Sequence, residues 1–189
     1  MFAIPLQIAD VMRDFKPNWF VAGGWAIDLF LGKETRAHSD IEIAVFRQDQ
    51  AALPNYFKSW NLQKTVNGKL VVWHREEWLT LPTHEIHCFN KTAKPPKIEI
   101  LLNESNETEW IYRRNQQIRR SLAKIRLRSS EGVKFLCPEI VLLYKSKNPQ
   151  TKDERDFQAV VGHLKRERKQ WLKYAIRTCD SKHRWLESL

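Results

Sequence analysis

Two acidic residues alternate with apolar ones in the stretch DIEIAVF, which begins at Asp40. Successive side chains of a β-strand point to opposite faces, so Asp40 and Glu42 would share one face while the isoleucines between and after them enter a core. Two carboxylates held this close repel each other unless a cation lies between them. Mg²⁺ prefers carboxylate oxygens and keeps several waters that substrate phosphates can replace. The pair therefore predicts a divalent-metal site, although an exposed strand face is the ordinary alternative for such a pattern taken alone.

A third acid, Glu99, alternates in the same way with Ile98 and Ile100 in the stretch KIEILL. If this strand lies near the first one, three carboxylates converge on one edge of a sheet. Such a set suits a two-metal phosphoryl-transfer site, in which one metal ion activates the attacking oxygen and the other stabilises the leaving group.

A pair of glycines, Gly23 and Gly24, separates an apolar stretch at residues 19–22 from a segment with helical spacing at residues 25–31. Glycines at such a junction permit a tight turn that exposes backbone N–H groups at the helix N-terminus. This arrangement can bind a triphosphate. A plain strand-to-helix turn is the alternative for the glycine pair taken alone.

The motif GGW at residues 23–25, Asp28 and the motif TRAHSDIE at residues 35–42 together resemble the nucleotidyltransferase superfamily of the DNA polymerase β type. Within it, they resemble the aminoglycoside 2″-adenylyltransferase and lincosamide nucleotidyltransferase group. The resemblance is strong over residues 19–46 and weaker elsewhere. It implies a nucleotidyltransferase that uses Mg²⁺ and moves a nucleoside monophosphate from ATP or another nucleoside triphosphate to a hydroxyl of a small acceptor, as antibiotic adenylyltransferases do.

The resemblance also implies roles for the residues of these motifs. Gly23 and Gly24 would bind the nucleotide phosphates, and Asp40 and Glu42 would ligate Mg²⁺. Glu99 would be the third acid, either a metal ligand or the base for the acceptor hydroxyl. Glu42 departs from the antibiotic enzymes, which usually carry aspartate there, whereas other members of the superfamily accept glutamate.

Several basic side chains are further candidates. Lys145 resembles a basic position of the same group and would neutralise the triphosphate. Arg36 is placed to reach a phosphate, with a loop-anchoring hydrogen bond as the equal alternative. For His38 we favour a structural role over proton transfer. His84 and His87 do not form a metal pair by spacing, since residues three apart fall on opposite faces of a strand.

The periodicity of the chain predicts the elements that must position these residues. Helices are expected at residues 5–16, 25–31, 48–60, 138–146, 153–165 and 167–178. Pro54 is expected to kink or shorten the helix at 48–60. Strands are expected at 19–22, 40–46, 84–90 and 97–103, with a hairpin at 62–74 that turns at Asn67-Gly68. The fold class is therefore α+β, a mixed β-sheet nucleotidyltransferase core flanked by helices. We place the domain boundary between residues 1–137 and a C-terminal helical lobe at 138–189.

The charge of the chain bears on its partners. Lysine and arginine total 32 against 22 acids, a net charge of +10, which favours anionic partners. Aminoglycosides are polycations, so long-range repulsion predicts that they bind weakly and that the acceptor is neutral or anionic. Acids such as Glu104, Glu107 and Glu109 could still form a local negative pocket. Nucleic acid ranks below a small acceptor as a partner.

A second interpretation keeps the fold without the catalysis. The chain would then be an inactive nucleotidyltransferase-fold module that binds nucleotide, or RNA through the arginine-rich stretch at residues 113–128. The presence of all three acids together with the glycine pair favours the enzyme.

The sequence also indicates a compartment. No apolar run approaches the roughly 20 residues that span a bilayer, and the N-terminal residues carry acids where a signal peptide would be apolar. The three cysteines follow no metal-binding or disulfide pattern. We therefore expect a cytoplasmic protein with no membrane partner.

Overall fold

A computed structural model describes residues 2–189 and has a mixed β-sheet at its centre. The strands are β1 (Trp19–Val21), β2 (Glu42–Phe46), β3 (Asn61–Val66), β4 (Lys69–Val72), β5 (Glu85–Phe89), β6 (Lys97–Ser105), β7 (Glu109–Ile111), β8 (Arg119–Ser121), β9 (Arg126–Arg128) and β10 (Lys134–Leu136). The helices are α1 (Ala3–Val11), α2 (Gly23–Leu31), α3 (Ala52–Tyr56), α4 (Pro138–Lys145), α5 (Thr151–Val161) and α6 (Arg166–Cys179). The predicted α+β class is confirmed.

The strand order places the acidic strands side by side. The sheet runs β4-β3-β5-β6-β2-β1-β10-β9, and β7 and β8 extend it from β6. Strand β2 pairs in parallel with β6, which puts Glu42 beside Glu99. Strand β5 pairs antiparallel with β6, which puts His87 on the other side of Glu99. Residues in register on adjacent strands share a face, so the three side chains form one row.

The predicted hairpin is confirmed at Asn67 and Gly68, which join β3 and β4. Both residues have positive φ angles, 49° and 73°, as a type I′ turn requires. The helix predicted at residues 48–60 forms only in part and is shortened. A single turn at Arg47–Asp49 and the five-residue helix α3 replace it, because Pro54 is tolerated only in the first turn of a helix.

Strand β2 begins two residues later than predicted, so Asp40 lies in the loop before it. Helix α1 ends at Val11, short of the predicted residue 16.

The C-terminal helices pack against the first half of the chain. Helix α4 begins at Pro138, where a proline suits the first helical turn, and it contacts α2, α5 and α6. The division at residue 137 stays a prediction. Within residues 2–189, no helix has both the length and the apolar character needed to cross a membrane.

Candidate active site

Three carboxylates meet where β2 and β6 run in parallel. Glu42 begins β2 and is in register with Glu99 on β6. Asp40 precedes β2, and its backbone carbonyl accepts a hydrogen bond of 3.0 Å from the indole nitrogen of Trp25. The Ser39 hydroxyl donates to the Asp40 carboxylate at 3.1 Å. The sheet register thus brings Glu42 and Glu99 side by side, whereas Asp40 is held by a loop and a helix rather than by the strand.

Each of these carboxylates makes ionisation of its neighbours less favourable. Burial raises the pKa of Glu99 to about 7, and the charges of Glu42, Glu85 and Asp40 add to the effect. Burial also raises the pKa of Glu42, with Lys145 opposing it and Asp40 reinforcing it. Carboxylates that repel each other in a partly buried place form a donor set that a hard cation would stabilise. The chemistry of this donor set therefore suits Mg²⁺, which prefers carboxylate oxygens.

The glycine pair makes room for this cluster. Gly23 has a φ of +57°, and a Cβ built on it would lie 1.4 Å from an Oε atom of Glu42. A Cβ on Gly24 would lie 2.4 Å from an Arg36 guanidinium nitrogen and 2.5 Å from the His38 ring. The backbone N–H of Gly24 also hydrogen-bonds the Glu42 carboxylate and lowers its pKa. The glycines therefore let a carboxylate reach the N-terminus of α2, where negative charge is favourable; their phosphate-binding role stays a prediction.

Asp28 anchors the loop that carries Asp40. Its buried carboxylate accepts hydrogen bonds from the Thr35 backbone N–H at 3.1 Å and the Thr35 hydroxyl at 2.5 Å. It also accepts one from Nε2 of His38 at 2.6 Å, and the His38 ring packs on Trp25 with 4.4 Å between ring centres. These contacts give His38 the structural role that the sequence favoured. They also show that Asp28, whose role the sequence left unassigned, anchors the loop.

Arg36 and Lys145 reach the cleft from opposite sides and share a partner on α5. Arg36 donates two hydrogen bonds to Asp156, at 3.0 and 3.1 Å. Lys145 Nζ lies 2.6 Å from Asp153 and 3.0 Å from Asp156. The bond to Asp156 raises the pKa of Arg36, and both acids raise that of Lys145 against the opposing effect of burial.

Two acids near the start of α5 do not face solvent. Asp153 and Asp156 are buried. They tie α5 to the Arg36 loop and to the end of α4. Arg36 and Lys145 remain on the wall of the cleft, and their contact with phosphate stays a prediction.

Asp40 and Glu42 line a cleft with a volume of about 1120 Å³. Its wall includes basic residues that have no carboxylate partner within residues 2–189, namely Arg113, Arg114, Lys147, Lys152 and Arg155. Its acids are Asp40, Glu42, Glu85 and Asp153. Glu104, Glu107 and Glu109 do not line it, and Glu104 and Glu109 are paired with Arg47 and Arg119. The local negative pocket that these three acids could have formed is therefore not on this cleft.

Arg113 is a wall residue that sequence reasoning missed. It stacks on Tyr144, 5.5 Å from the ring centre, and Arg114 stacks on the same ring at 5.4 Å. Burial lowers the pKa of Arg113, which has no ion-pair partner among the described residues. Arg120, farther along the same arginine-rich stretch, is buried against Glu139 at 2.7 Å. A uniform run of arginines gave no signal that would separate these environments.

Comparisons with known proteins identify the family and the fold of the chain. The chain matches the sequence profile of the family described as Aminoglycoside-2″-adenylyltransferase over residues 5–129, a span that contains the glycine pair and all three acids but ends before Lys145. A search of curated protein sequences gave no match.

Solved structures share the fold at low sequence identity. The solution structure of the antibiotic-resistance factor ANT(2″)-Ia has a TM-score of 0.61 and 15% identity over 95% of this chain and 92% of that one. A crystal structure of ANT(2″)-Ia with adenylyl-2″-tobramycin has the same score and identity over 94% and 97%. The lincomycin-bound lincosamide antibiotic adenylyltransferase LnuA has a TM-score of 0.57 and 17% identity over 82% and 92%. Because the profile covers more than half of its residues, the chain belongs to the aminoglycoside-2″-adenylyltransferase family and is a nucleotidyltransferase.

Proposed function

We propose that this chain transfers a nucleoside monophosphate from ATP or another nucleoside triphosphate to a hydroxyl of a small acceptor that is not a polycation. The observation that supports the reaction is the proximity of three acids: Asp40 and Glu42 line the cleft, and Glu99 lies in register with Glu42 and is influenced by the charges of both. This set combines metal-ligating oxygens with a carboxylate whose pKa is raised to about 7. Both are needed for nucleotidyl transfer at neutral pH.

Each residue has a role in that proposal. Asp40 and Glu42 would hold Mg²⁺, with Glu99 as a third ligand, and the bound ion would neutralise phosphate charge. Glu99 is also proposed as the base, because its raised pKa allows it to take a proton near neutral pH. The acceptor oxygen bonds to the α-phosphorus, the bond to the β-phosphate oxygen breaks, and pyrophosphate leaves while the hydroxyl proton passes to Glu99.

The basic side chains near Glu42 would bind the triphosphate. Lys145 and Lys152 are close enough to Glu42 to lower its pKa, and Arg36 lies against Gly24. Gly23 and Gly24 would contribute backbone N–H groups at the start of α2.

The charge of the cleft supports an acceptor that is neutral or anionic. Besides Asp40 and Glu42, the acids of the wall within residues 2–189 are Glu85 and Asp153, and Asp153 is neutralised by Lys145. Arg113 is desolvated and has no anionic partner among residues 2–189. The charge of Glu85 influences it, so Arg113 lies toward the Glu99 side of the cleft. A polycation would meet this guanidinium, whereas a carboxylate or phosphate on the acceptor would neutralise it.

Release of pyrophosphate tests the proposal. Wild type would be incubated with Mg²⁺, each nucleoside triphosphate and an acceptor panel of tobramycin, lincomycin and a sugar phosphate. We expect release with an acceptor of the last two kinds and none for Asp40→Asn, which keeps the shape of the side chain and removes its charge. Nucleotide binding without release for any acceptor would instead favour the inactive binding module.

A further inference from the structure

Three side chains capable of binding a metal meet on β5 and β6, beyond the pair formed by Asp40 and Glu42. Glu85 and His87 are two residues apart on β5 and therefore share a face of the sheet. Glu99 is in register with His87 on β6. One ligand atom from each of the three lies within 4.8 Å of those of the other two.

His87 has a buried nitrogen without a partner. The residue is 9% exposed, and its Nδ1 makes no hydrogen bond within residues 2–189. This nitrogen lies 3.9 Å from an Oε atom of Glu99, which is beyond hydrogen-bonding distance. The other ring nitrogen lies 3.2 Å from the Thr65 hydroxyl, a contact that turns Nδ1 toward Glu99. A buried polar atom left unsatisfied is costly, so this one points to a ligand.

We infer that Glu85, His87 and Glu99 form a binding site for a divalent transition-metal ion of the Zn²⁺ class, next to the proposed Mg²⁺ site and sharing Glu99 with it. Imidazole nitrogen suits Zn²⁺, whereas Mg²⁺ prefers oxygen ligands. Three protein ligands that leave a position for water are the arrangement of open zinc sites. Tetrahedral bonds of about 2.1 Å place ligand atoms roughly 3.4 Å apart, so the side chains close by about an ångström on binding.

The spacing explains why the sequence did not reveal this group. His84 and His87 attract attention as a pair, but His84 is outside the group, and its Nδ1 lies 2.8 Å from the carbonyl of Pro82. The two proposed ligands on β5 are Glu85 and His87, which are two residues apart. The third, Glu99, comes from the neighbouring strand β6. The Thr65 contact also matches the outer hydrogen bond that usually orients a metal-binding histidine.

Titration of the metal-free protein with Co²⁺ tests the site, because visible absorption bands of this ion report its coordination without any activity assay. Wild type is expected to bind a single Co²⁺ ion with such bands, and Zn²⁺ to displace it. His87→Gln is expected to weaken binding by at least about tenfold, since loss of even an outer-shell partner costs about that much. Glu85→Gln is expected to act in the same direction, so the test does not depend on one variant.

Two variants serve as matched controls. His163→Gln removes an exposed histidine and is expected to keep the bands. Asp40→Asn removes a proposed Mg²⁺ ligand and is also expected to keep them. The inference is overturned if wild type gives no bands, if His87→Gln and Glu85→Gln leave them unchanged, or if Asp40→Asn abolishes them.

One consequence rests on the proposed function. Zn²⁺ bound here would hold Glu99, so it is expected to inhibit transfer at a fixed Mg²⁺ concentration. His87→Gln should raise the Zn²⁺ concentration for half inhibition by at least about tenfold. Inhibition of equal strength in both proteins would contradict the sharing of Glu99. If the chain transfers no nucleotide, the proposed function fails, while the Co²⁺ titration still decides the metal site.

Discussion

Glu99 is in an unfavourable place for a charged carboxylate when no cation is bound. Burial raises its pKa from 4.5 to about 7, and three neighbouring carboxylates contribute. Because the folded-state pKa exceeds the unfolded value, protonation favours folding. The stabilising contribution is complete below the unfolded pKa and is lost as the pH rises through the folded one. The metal-free protein should therefore lose stability between mildly acidic and slightly alkaline pH.

Replacing Glu99 with glutamine should remove this dependence. In EDTA at about pH 8, Glu99→Gln is expected to raise the free energy of unfolding by about 2 kcal/mol relative to wild type, with little difference at about pH 4. The same variant should lower kcat by about 10² to 10⁴-fold, because the proposed general base is lost. Urea denaturation at both pH values measures the first effect and pyrophosphate release the second.

Glu107→Gln is the control for that experiment, since it removes an exposed carboxylate outside the cleft. Glu107→Gln should change neither the free energy of unfolding nor kcat. A Glu99→Gln protein that is less stable than wild type at the alkaline pH would contradict the electrostatic account of this residue.

At the scale of elements, the glycine turn and α5 hold the carboxylates and the basic side chains in place. Gly23 allows Glu42 to approach the start of α2. Asp156 on α5 connects Arg36, from the loop before β2, to Lys145 at the end of α4. The geometry of the site therefore depends on contacts between segments that are distant in the sequence.

Gly23→Ala should damage the site directly. A Cβ there meets the Glu42 carboxylate at 1.4 Å, and the φ of +57° is strained for any residue with a Cβ. We expect a loss of about 1 to 3 kcal/mol in unfolding free energy and loss of pyrophosphate release. Gly162→Ala is the matched control, because nothing lies within 4 Å of the added carbon and the φ is −69°. Equal behaviour of the two variants in thermal denaturation would contradict this role for Gly23.

Asp156→Asn should loosen α5. The Asp156 side chain is 2% exposed and pairs with two cations, and removal of one partner from a buried ion pair typically costs about 3 to 5 kcal/mol. Arg155→Gln, at an exposed neighbouring position, should leave the denaturation midpoint nearly unchanged. A midpoint for Asp156→Asn that equals that of wild type would show that the ion pairs do not hold α5.

The sequence predicted the features that depend on local patterns. Alternation revealed the acids, and Asn67-Gly68 marked the hairpin that β3 and β4 form. Pro54 indicated that the helix expected at residues 48–60 would be kinked or shortened, but the pattern did not show that only five residues would remain in α3. The partnership of Arg36 with Asp156 spans 120 positions, and no local pattern encodes it. For the same reason, the register that joins Glu99 to His87 could be read only from the sheet.

At the scale of the molecule, a net charge of +10 acts together with a cleft wall that is itself basic. Net charge alone could not locate the excess, and the structure places part of it at Arg113 and Arg114 on that wall. Acceptor choice should therefore follow charge. We expect kcat/KM to be lower for tobramycin than for lincomycin. The difference in kcat/KM should become smaller as added salt screens the repulsion between tobramycin and the basic cleft.

Arg113→Gln checks the acceptor prediction, because it removes the guanidinium without touching the three acids. It should raise KM for an anionic sugar acceptor and leave KM for lincomycin little changed. Arg128→Gln, an exposed arginine away from the cleft, is the control. Efficient labelling of tobramycin by wild type at low salt would show that the charge argument is wrong.

The central claim is that Asp40, Glu42 and Glu99 hold the metal at which the nucleotide binds. Crystals grown with Mn²⁺ and a nonhydrolysable nucleoside triphosphate test it most directly, because Mn²⁺ replaces Mg²⁺ and is located by its anomalous scattering. We predict an Mn²⁺ peak bonded to Asp40 and Glu42, with Glu99 beside it and triphosphate oxygens completing its coordination. A triphosphate bound elsewhere, or an Mn²⁺ ion that contacts neither Asp40 nor Glu42, would contradict the account.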